Sequence, residues 1–165
     1  MKKTCLLLFL LLGSAPLAQA AQPLMVNIKR LSMETALRIA EAAIDTCRKE
    51  GVQVAVTVVD RGGHPQVVLR DVLAMDLTLT VSRQKAYTAM SFNAPTSQLE
   101  NRFKGPFSVG KVKGLVLSAG GVPITVGGSI VGGVGVSGSP SGLTDEKCAK
   151  AGVDAVSADL EMDAM

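Results

Sequence analysis

Residues 115–138, LVLSAGGVPITVGGSIVGGVGVSG, alternate short runs of valine, isoleucine and leucine with paired glycines. Strands are predicted at 122–126 and 129–137, because the intervening Gly127-Gly128 pair tolerates the positive φ of a tight hairpin turn. Residues 115–118 are predicted as a further strand ahead of them. The stretch therefore predicts an antiparallel meander at the centre of the fold.

Three glycines, Gly132, Gly133 and Gly135, lie inside the last predicted strand, where glycine costs stability. Glycine there is typical of a bulge or of close approach by another backbone or a flat ligand. We expect a subunit interface at this bare patch, with a flat ligand as the alternative. The pattern G-x-G-x-x-G ending at Gly138 does not indicate a dinucleotide site, because residues 139–142 separate it from any helix.

The first 20 residues have the features of an export signal. Lys2 and Lys3 precede an apolar run, and Ala18-Gln19-Ala20 forms a small-residue cleavage site. The run is shorter than the about 20 apolar residues that cross a bilayer. We therefore predict a cleaved signal peptide at 1–20 and an exported domain at 21–165, located in the periplasm or secreted.

Charge and cysteine content narrow the function further. The 17 basic residues less the two leader lysines leave 15, against 14 acidic ones. This near-neutral balance without basic runs gives no support for a nucleic-acid partner. Cys47 and Cys148 remain after cleavage, each on the apolar face of a predicted helix. Either a disulfide between them or two separate buried thiols is compatible with the sequence.

The remaining elements follow from hydrophobic periodicity and from capping residues. In chain order we predict a helix capped by Ser32 and ending near Glu50, strands at 52–60 and 65–70, a helix at 76–92, a short helix at 98–103 capped by Thr96, a basic mobile loop at 102–112, the three strands above, and a final helix capped by Thr144. The order α-β-β-α-α-β-β-β-α predicts one α/β (α+β) domain with a five-stranded, mostly antiparallel sheet flanked by helices.

The inventory of reactive side chains is small. His64 is the single histidine, so one chain cannot form a two-histidine metal site. At the predicted hairpin turn His64 is either a solvated turn residue or an axial iron ligand, since imidazole is a common haem partner. Met75 and Met90 are either core residues or sulfur donors to iron. No G-x-S-x-G motif occurs, and we assign no catalytic residue.

Five side chains are candidates for binding an acidic group. Arg83 and Lys85 share a predicted helix with Tyr87, and could bind a carboxylate or propionate through charge-assisted hydrogen bonds. A solvated helix face is the alternative for these residues. Thr96 and Ser97 offer hydroxyls at a predicted helix start, where backbone N–H groups favour anions, although capping alone would explain them.

Three segments resemble the GlcG/HbpS family of haem-binding-like proteins. They are VAVTVVDRGGHP at 54–65, RQKAYTAMSFNAPTSQLE at 83–100, and GGVPITVGGSIVGGVGVSGSPSG at 120–142 followed by DEKCAKAG at 145–152. The likeness runs in one order over about residues 31–156. The pieces AVTVVDR, APTS and GSPSG are more similar to the exported haem-binding HbpS branch than to the cytoplasmic glycolate-operon branch.

This resemblance implies a profilin-like α/β fold, homo-oligomers that are often octamers, and binding of haem or haem iron outside the cytoplasm. It also implies a membrane sensor protein as partner. Within the resembling segments, Thr96 of APTS is the first candidate for a residue near the haem, and His64 is the second and the metal-ligand candidate.

Three functions are compatible with these observations. The first is an exported protein that binds haem or its iron. The second is a small enzyme for a hydroxy- or keto-acid, in which Arg83 and Lys85 hold the carboxylate and Asp60 or Tyr87 moves protons. The third is a structural accessory protein of a membrane partner.

Overall fold

The computed structural model describes residues 22–164. The predicted signal peptide lies outside these residues. The helices and strands, in chain order, are α1 (Met33–Lys49), β1 (Ala55–Asp60), β2 (Pro65–Arg70), α2 (Leu77–Phe92), β3 (Gly121–Val126), β4 (Ser129–Ser137) and α3 (Gly142–Asp163). Short 3-10 helices occupy Thr96–Gln98 and Val109–Lys111. Among residues 22–164, no helix combines the length and apolar character needed to cross a bilayer.

The four strands form one antiparallel sheet in the order β2-β1-β4-β3. Two hairpins supply the outer pairs. The β3–β4 hairpin turns at Gly127 and Gly128, whose φ angles are +54° and +74°, as predicted. The central pair joins β1 to β4, with Ala55 opposite Ser137 and Asp60 opposite Gly132. The two hairpins are thus joined into one sheet by a strand pair from distant parts of the chain.

One face of the sheet packs against α1 and α3. Val56 and Val58 of β1 and Val134 and Val136 of β4 are fully buried in this layer. The two helices are joined by a disulfide between Cys47 and Cys148, whose Cα atoms lie 5.5 Å apart. Of the two alternatives for these cysteines, the structure therefore contains the disulfide. Ser32 caps α1 as predicted, its Oγ accepting the Thr35 N–H at 3.1 Å.

The opposite face is covered by α2, which lies on a glycine seam formed by Gly121, Gly133 and Gly135. A Cβ atom on Gly135 would lie only 2.1 Å from the Ser82 carbonyl oxygen. On Gly133 it would lie 2.5 Å from the Ala86 carbonyl oxygen. Both expectations for this patch, a subunit interface and a flat-ligand surface, are therefore wrong. The approaching backbone belongs to α2 of the same chain.

The sheet has four strands, and the prediction of a fifth at 115–118 is wrong. This segment runs alongside the fold without joining a strand ladder. The N–H of Val116 donates to Thr88 Oγ1 at 3.0 Å, and that of Ala119 donates to the Glu100 carboxylate at 2.8 Å. Side chains thus occupy the donors that a neighbouring strand would have used.

Two predicted helix starts also differ from the structure. A single 3-10 turn at Thr96–Gln98 replaces the short helix predicted at 98–103. Thr96 caps nothing, because its Oγ1 accepts the Gly121 N–H from β3 at 2.8 Å. Helix α3 begins at Gly142 with Ser141 at its N-cap, so Thr144 lies inside its first turn. Strand β1 begins at Ala55, three residues later than predicted.

Candidate functional site

A groove of about 720 Å³ opens between the exposed face of α2, the β1–β2 hairpin and the segment around Gly114. Its volume lies within the range of about 300–1,000 Å³ that is usual for small-molecule sites. The residues that line it are Thr57, Gly63, Pro65, Val68, Leu79, Thr80, Arg83, Gln84, Tyr87, Lys113 and Gly114. Three elements distant in sequence therefore build one concave surface.

Two cations and several apolar side chains share this groove. Arg83 and Lys113 are both solvent-exposed, and within residues 22–164 neither guanidinium nor ammonium has an ion-pair partner. Val68, Leu79 and the Tyr87 ring supply apolar surface. A ligand with an apolar body and one or two carboxylates matches this arrangement, since guanidinium and ammonium groups bind carboxylates strongly.

The Tyr87 ring is held against the hairpin turn by Gly63. This glycine has a φ of +80°, and a Cβ atom there would lie 2.6 Å from ring carbons of Tyr87. Any larger residue at this position would displace the ring. The same turn therefore shapes one wall of the groove and fixes the aromatic side chain within it.

His64 follows Gly63 at the mouth of this region, with 78% of its side chain exposed. Its Nδ1 lies 3.4 Å from Asp60 Oδ1. No other part of the described chain contacts the imidazole through a hydrogen bond or ion pair. A carboxylate behind one ring nitrogen is the usual arrangement for a histidine whose other nitrogen binds a metal. The His64 imidazole is therefore exposed to solvent with Asp60 beside one ring nitrogen, although His64 does not itself line the groove.

The Asp60 carboxylate binds the backbone of the β1–β2 hairpin turn. Its Oδ1 accepts the backbone N–H of Gly62 at 2.8 Å and that of His64 at 3.0 Å. Burial would raise the pKa of this carboxyl, but those two N–H donors and the charges of His64 and Arg30 outweigh burial. The pKa of Asp60 therefore lies below its ordinary value, which suits a permanent carboxylate better than a group that exchanges protons.

Lys85 does not line the groove with Arg83. Its ammonium is buried, 2.9 Å from Asp145 Oδ2 and 3.1 Å from the Val136 carbonyl oxygen. Residues two apart on a helix point in nearly opposite directions, so Arg83 faces the groove while Lys85 faces the sheet. The predicted pairing of Arg83 with Lys85 on one ligand is therefore wrong: Lys85 links α2 to α3.

Thr96 and Ser97 belong to a second structural junction. Thr96 is fully buried and holds β3 through the Gly121 N–H. Ser97 donates to the Glu146 carboxylate through its N–H at 3.0 Å and its Oγ at 2.5 Å. The Gly120 N–H reaches the same carboxylate at 3.2 Å. The APTS, paired-glycine and DEK segments thus meet here, outside the groove.

The two methionines considered as sulfur donors to iron lie in different surroundings. Met75 is 61% exposed in the connector between β2 and α2. Met90 lies half-buried beneath the hairpin turn, near Gly63. Over residues 22–164, no cluster of three or more histidine, cysteine or acidic side chains is arranged to hold a metal ion.

Sequence reasoning missed the rest of the groove. It identified Arg83 and Tyr87, which lie four residues apart on one helix face, but it did not identify Lys113, Val68 or Leu79 as their neighbours. Helical spacing alone would have separated Arg83 from Lys85. No local pattern places Lys113 beside α2, because that contact depends on how the chain after α2 returns to the sheet.

Comparison with known proteins identifies the family of this chain. A model of the family described as haem degrading protein HbpS-like matches residues 31–154. The chain belongs to this family. Two curated relatives of the HbpS-like chain are protein GlcG of Escherichia coli K12 and an uncharacterised 15.0 kDa protein of Citrobacter freundii. GlcG is 33% identical over 108 residues, 65% of this chain and 81% of GlcG. The Citrobacter protein is 28% identical over 117 residues, 68% of this chain and 82% of its own length.

Solved structures share the fold of the HbpS-like chain. A double mutant of HbpS from Streptomyces reticuli is 39% identical, with a TM-score of 0.76, over 86% of this chain and 97% of that one. A structure described as a PduOC–heme complex is 24% identical, with a TM-score of 0.71, over 77% and 95% of the two chains. At that lower identity the second likeness concerns the fold alone.

Proposed function

We propose that this HbpS-like protein binds haem outside the cytoplasm, in the groove between α2 and the β1–β2 hairpin. The observation that carries the proposal is the pair of exposed cations, Arg83 and Lys113, above apolar walls. Haem presents the matching chemistry, a flat apolar ring with two propionates. Membership of a family described as haem degrading protein HbpS-like supports the choice of ligand.

The residues fit the ring in distinct roles. Arg83 and Lys113 would bind propionates, and Val68 and Leu79 would contact the ring. His64 would offer its second ring nitrogen to iron, with Asp60 holding the imidazole from behind. Bound iron would supply redox and ligand-exchange chemistry. Thr96, the first candidate by resemblance, is not placed in the groove, since its hydroxyl is buried in the contact with Gly121.

Location and assembly belong to the same proposal. The predicted signal peptide favours export, and the Cys47–Cys148 disulfide supports it because disulfides persist mainly in oxidising compartments. Homo-oligomers such as octamers, and a role in haem scavenging or in reporting to a membrane sensor protein, are expected from the family resemblance alone.

A second candidate function uses the same groove. A small hydroxy- or keto-acid could bind through its carboxylate to Arg83, beside the Tyr87 hydroxyl, because both side chains line the groove. Asp60 is a poor proton carrier for this reaction, since its carboxylate is occupied by two backbone N–H donors. The haem proposal is therefore preferred.

A haemin titration of the protein without its leader, followed at the Soret band, tests the proposal. We expect saturable binding and a reduction in affinity of about tenfold for Arg83→Gln, from the loss of one charge-assisted contact. His64→Ala should change the Soret position. Lys150→Gln on α3 is a matched control, since it removes a lysine that pairs with Asp154 outside the groove.

The possible results separate the hypotheses. Saturable binding that is indifferent to Arg83→Gln and His64→Ala would move haem to another surface. Without saturable binding, haem would be excluded as the ligand. Turnover of a hydroxy- or keto-acid that falls by orders of magnitude in Arg83→Gln would instead establish the enzyme.

A further inference from the structure

We propose that the basic loop, residues 102–112, docks the protein on an anionic lipid surface. This loop contains the most exposed aromatic side chain among residues 22–164. Phe107 is 100% exposed, in a chain that has only four phenylalanines, one tyrosine and no tryptophan. Covering such a ring with another apolar surface is favourable, because it removes the ring from water.

The backbone holds Phe107 at the tip of a closed turn. The Ser108 N–H donates to the Gly105 carbonyl at 3.2 Å, which leaves Pro106 and Phe107 as the two central residues. The Ser108 hydroxyl donates to the Phe103 carbonyl at 2.6 Å. Because proline limits the freedom of the turn, less entropy is lost when its tip becomes fixed at a surface.

The base of the loop is anchored to the domain. The Phe103 ring lies 5.2 Å from that of Phe92 at the end of α2. Gly110 packs against Phe103, since a Cβ atom there would lie 2.9 Å from the Phe103 Cβ. Two further bonds, from Lys111 N–H to Ser108 and from Val112 N–H to Val109, close the following turn. The tip is therefore presented by a packed structure.

Cations flank this tip in the sequence, and within residues 22–164 none of them forms an ion pair. Arg102, Lys104, Lys111 and Lys113 are all exposed, and residues 101–144 contain no aspartate or glutamate. An exposed aromatic residue beside unbalanced lysines and arginines is the chemistry that membrane-surface segments use, with the ring entering the lipid boundary and the cations facing anionic headgroups.

The shape of the surface favours lipid over a protein partner. Stable protein interfaces bury about 800 Å² on each partner and need a broad complementary patch. Here one ring projects, and the other exposed large hydrophobic residues along this loop are Val109 and Val112, at 43% and 56% exposure. A narrow tip with peripheral charge can enter a fluid bilayer without a preformed pocket. The docking chemistry does not require haem, so it stands or falls separately from the proposed function.

Vesicle co-sedimentation of the protein without its leader tests the proposal. We expect it to sediment with phosphatidylglycerol-rich vesicles, weakly with pure phosphatidylcholine, and less as salt is raised. Phe107→Ser should weaken binding at least about tenfold, from loss of the buried ring. Lys104→Gln combined with Lys111→Gln should weaken it more than about tenfold, since each cation near an anionic surface contributes about a fivefold factor.

Matched controls are available elsewhere in the chain. Val72→Ser changes another exposed apolar residue, 83% exposed in the connector before α2. Lys49→Gln combined with Lys150→Gln removes the same charge from α1 and α3, on the other side of the sheet. Both controls should bind vesicles like the parent.

Three results would overturn the proposal. One is equal sedimentation with phosphatidylglycerol and phosphatidylcholine vesicles. Another is equal weakening by the loop variants and their controls. The third is a Phe107→Ser protein that changes its oligomeric size in solution while retaining vesicle binding, which would make the tip a contact between copies of the chain.

Discussion

Asp60 shows how one carboxylate can fix both a turn and a neighbouring imidazole. It is buried at the end of β1, where it accepts the N–H groups of Gly62 and His64 and lies 3.4 Å from an Arg30 guanidinium nitrogen. These contacts stabilise the ionised form over the protonated one, despite burial, which opposes it. The hairpin geometry that places His64 therefore depends on the charge of a single side chain.

The stability supplied by Asp60 should depend on pH. Its pKa in the folded protein lies below the unfolded value of about 3.9. The stabilisation is therefore fully present above that unfolded value and is lost as pH falls through the folded pKa. We expect Asp60→Asn to lower the free energy of unfolding by about 1–3 kcal/mol near neutral pH, with a smaller difference from the parent at a pH below the unfolded value of about 3.9. Urea denaturation at both pH values measures this.

Asp45→Asn is the control for that comparison, because Asp45 is 62% exposed and only 3.4 Å from Arg48 in a surface pair. Its substitution should change the free energy by less than about 1 kcal/mol. A constant difference between Asp60→Asn and the parent across the two pH values would show that the carboxylate charge has no part in the stabilisation.

At the scale of elements, the contact between α2 and the sheet depends on the absence of side chains. The glycine seam lets the helix backbone lie directly on β4, and the Thr57 and Ser82 hydroxyls meet across the contact at 2.8 Å. Because α2 sits this close, its opposite face holds Arg83 and Tyr87 at the groove. The depth of the helix on the sheet thus sets the position of the proposed site.

Gly135→Ala should disrupt this contact. The new methyl carbon would lie 2.1 Å from the Ser82 carbonyl oxygen and 2.5 Å from the Ala86 nitrogen, so the helix has to move away from the sheet. We expect a loss of about 3 kcal/mol or more in unfolding free energy. Gly105→Ala is the control, since its Cβ would meet nothing within 4 Å. A Gly135→Ala protein as stable as the parent in thermal and urea unfolding would contradict the packing of α2 on the sheet.

Elements fixed by contacts close in sequence were easier to predict than elements fixed by contacts with distant residues. The first helix and the two hairpins have local signals, namely the Ser32 cap and the Gly127-Gly128 turn, and these predictions are confirmed. The strand expected at 115–118 failed because its backbone donors bond to the distant side chains of Thr88 and Glu100. A hydrophobic pattern contains no information about such partners.

The site was harder to predict than the fold for the same reason. Arg83 and Tyr87 are a local pair on one helix face, and they were found. Lys113 comes from a loop with no periodicity, and its place beside α2 follows from tertiary packing. The resemblance to a family drew attention to Thr96, whose role in this structure is to hold β3. Shared motifs therefore identified the fold more directly than the site.

At the scale of the whole molecule, the disulfide ties the first helix to the last. Cys47 and Cys148 are separated by 101 positions, and both are fully buried between α1 and α3. A cross-link of this span removes many conformations from the unfolded chain. It therefore stabilises the layer that opposes α2 without touching the groove.

Replacement of both cysteines by alanine should lower the free energy of unfolding by about 2–5 kcal/mol, mainly through the unfolded state. Urea denaturation of the oxidised parent, the reduced parent and the double variant measures this. The reductant should destabilise the parent and leave the double variant unchanged. Equal midpoints for the oxidised and reduced parent would mean that the cross-link does not contribute. Haemin affinity should be retained, because the groove lies on the other face.

The pairing of β1 with β4 also has a consequence for how the polypeptide acquires its shape. Between the two central strands, β1 and β4, the chain contains β2, α2, the long segment after α2 and β3. The middle of the sheet therefore cannot form before residues 129–137 are available. Such high contact order slows folding, because the chain loses the entropy of closing a long segment before the distant strand pair stabilises it. A nascent chain that has emerged only as far as α2 contains α1, the β1–β2 hairpin and α2, but it lacks β4, on whose glycines α2 lies. Topology alone therefore delays completion of the sheet until synthesis has reached its last strand.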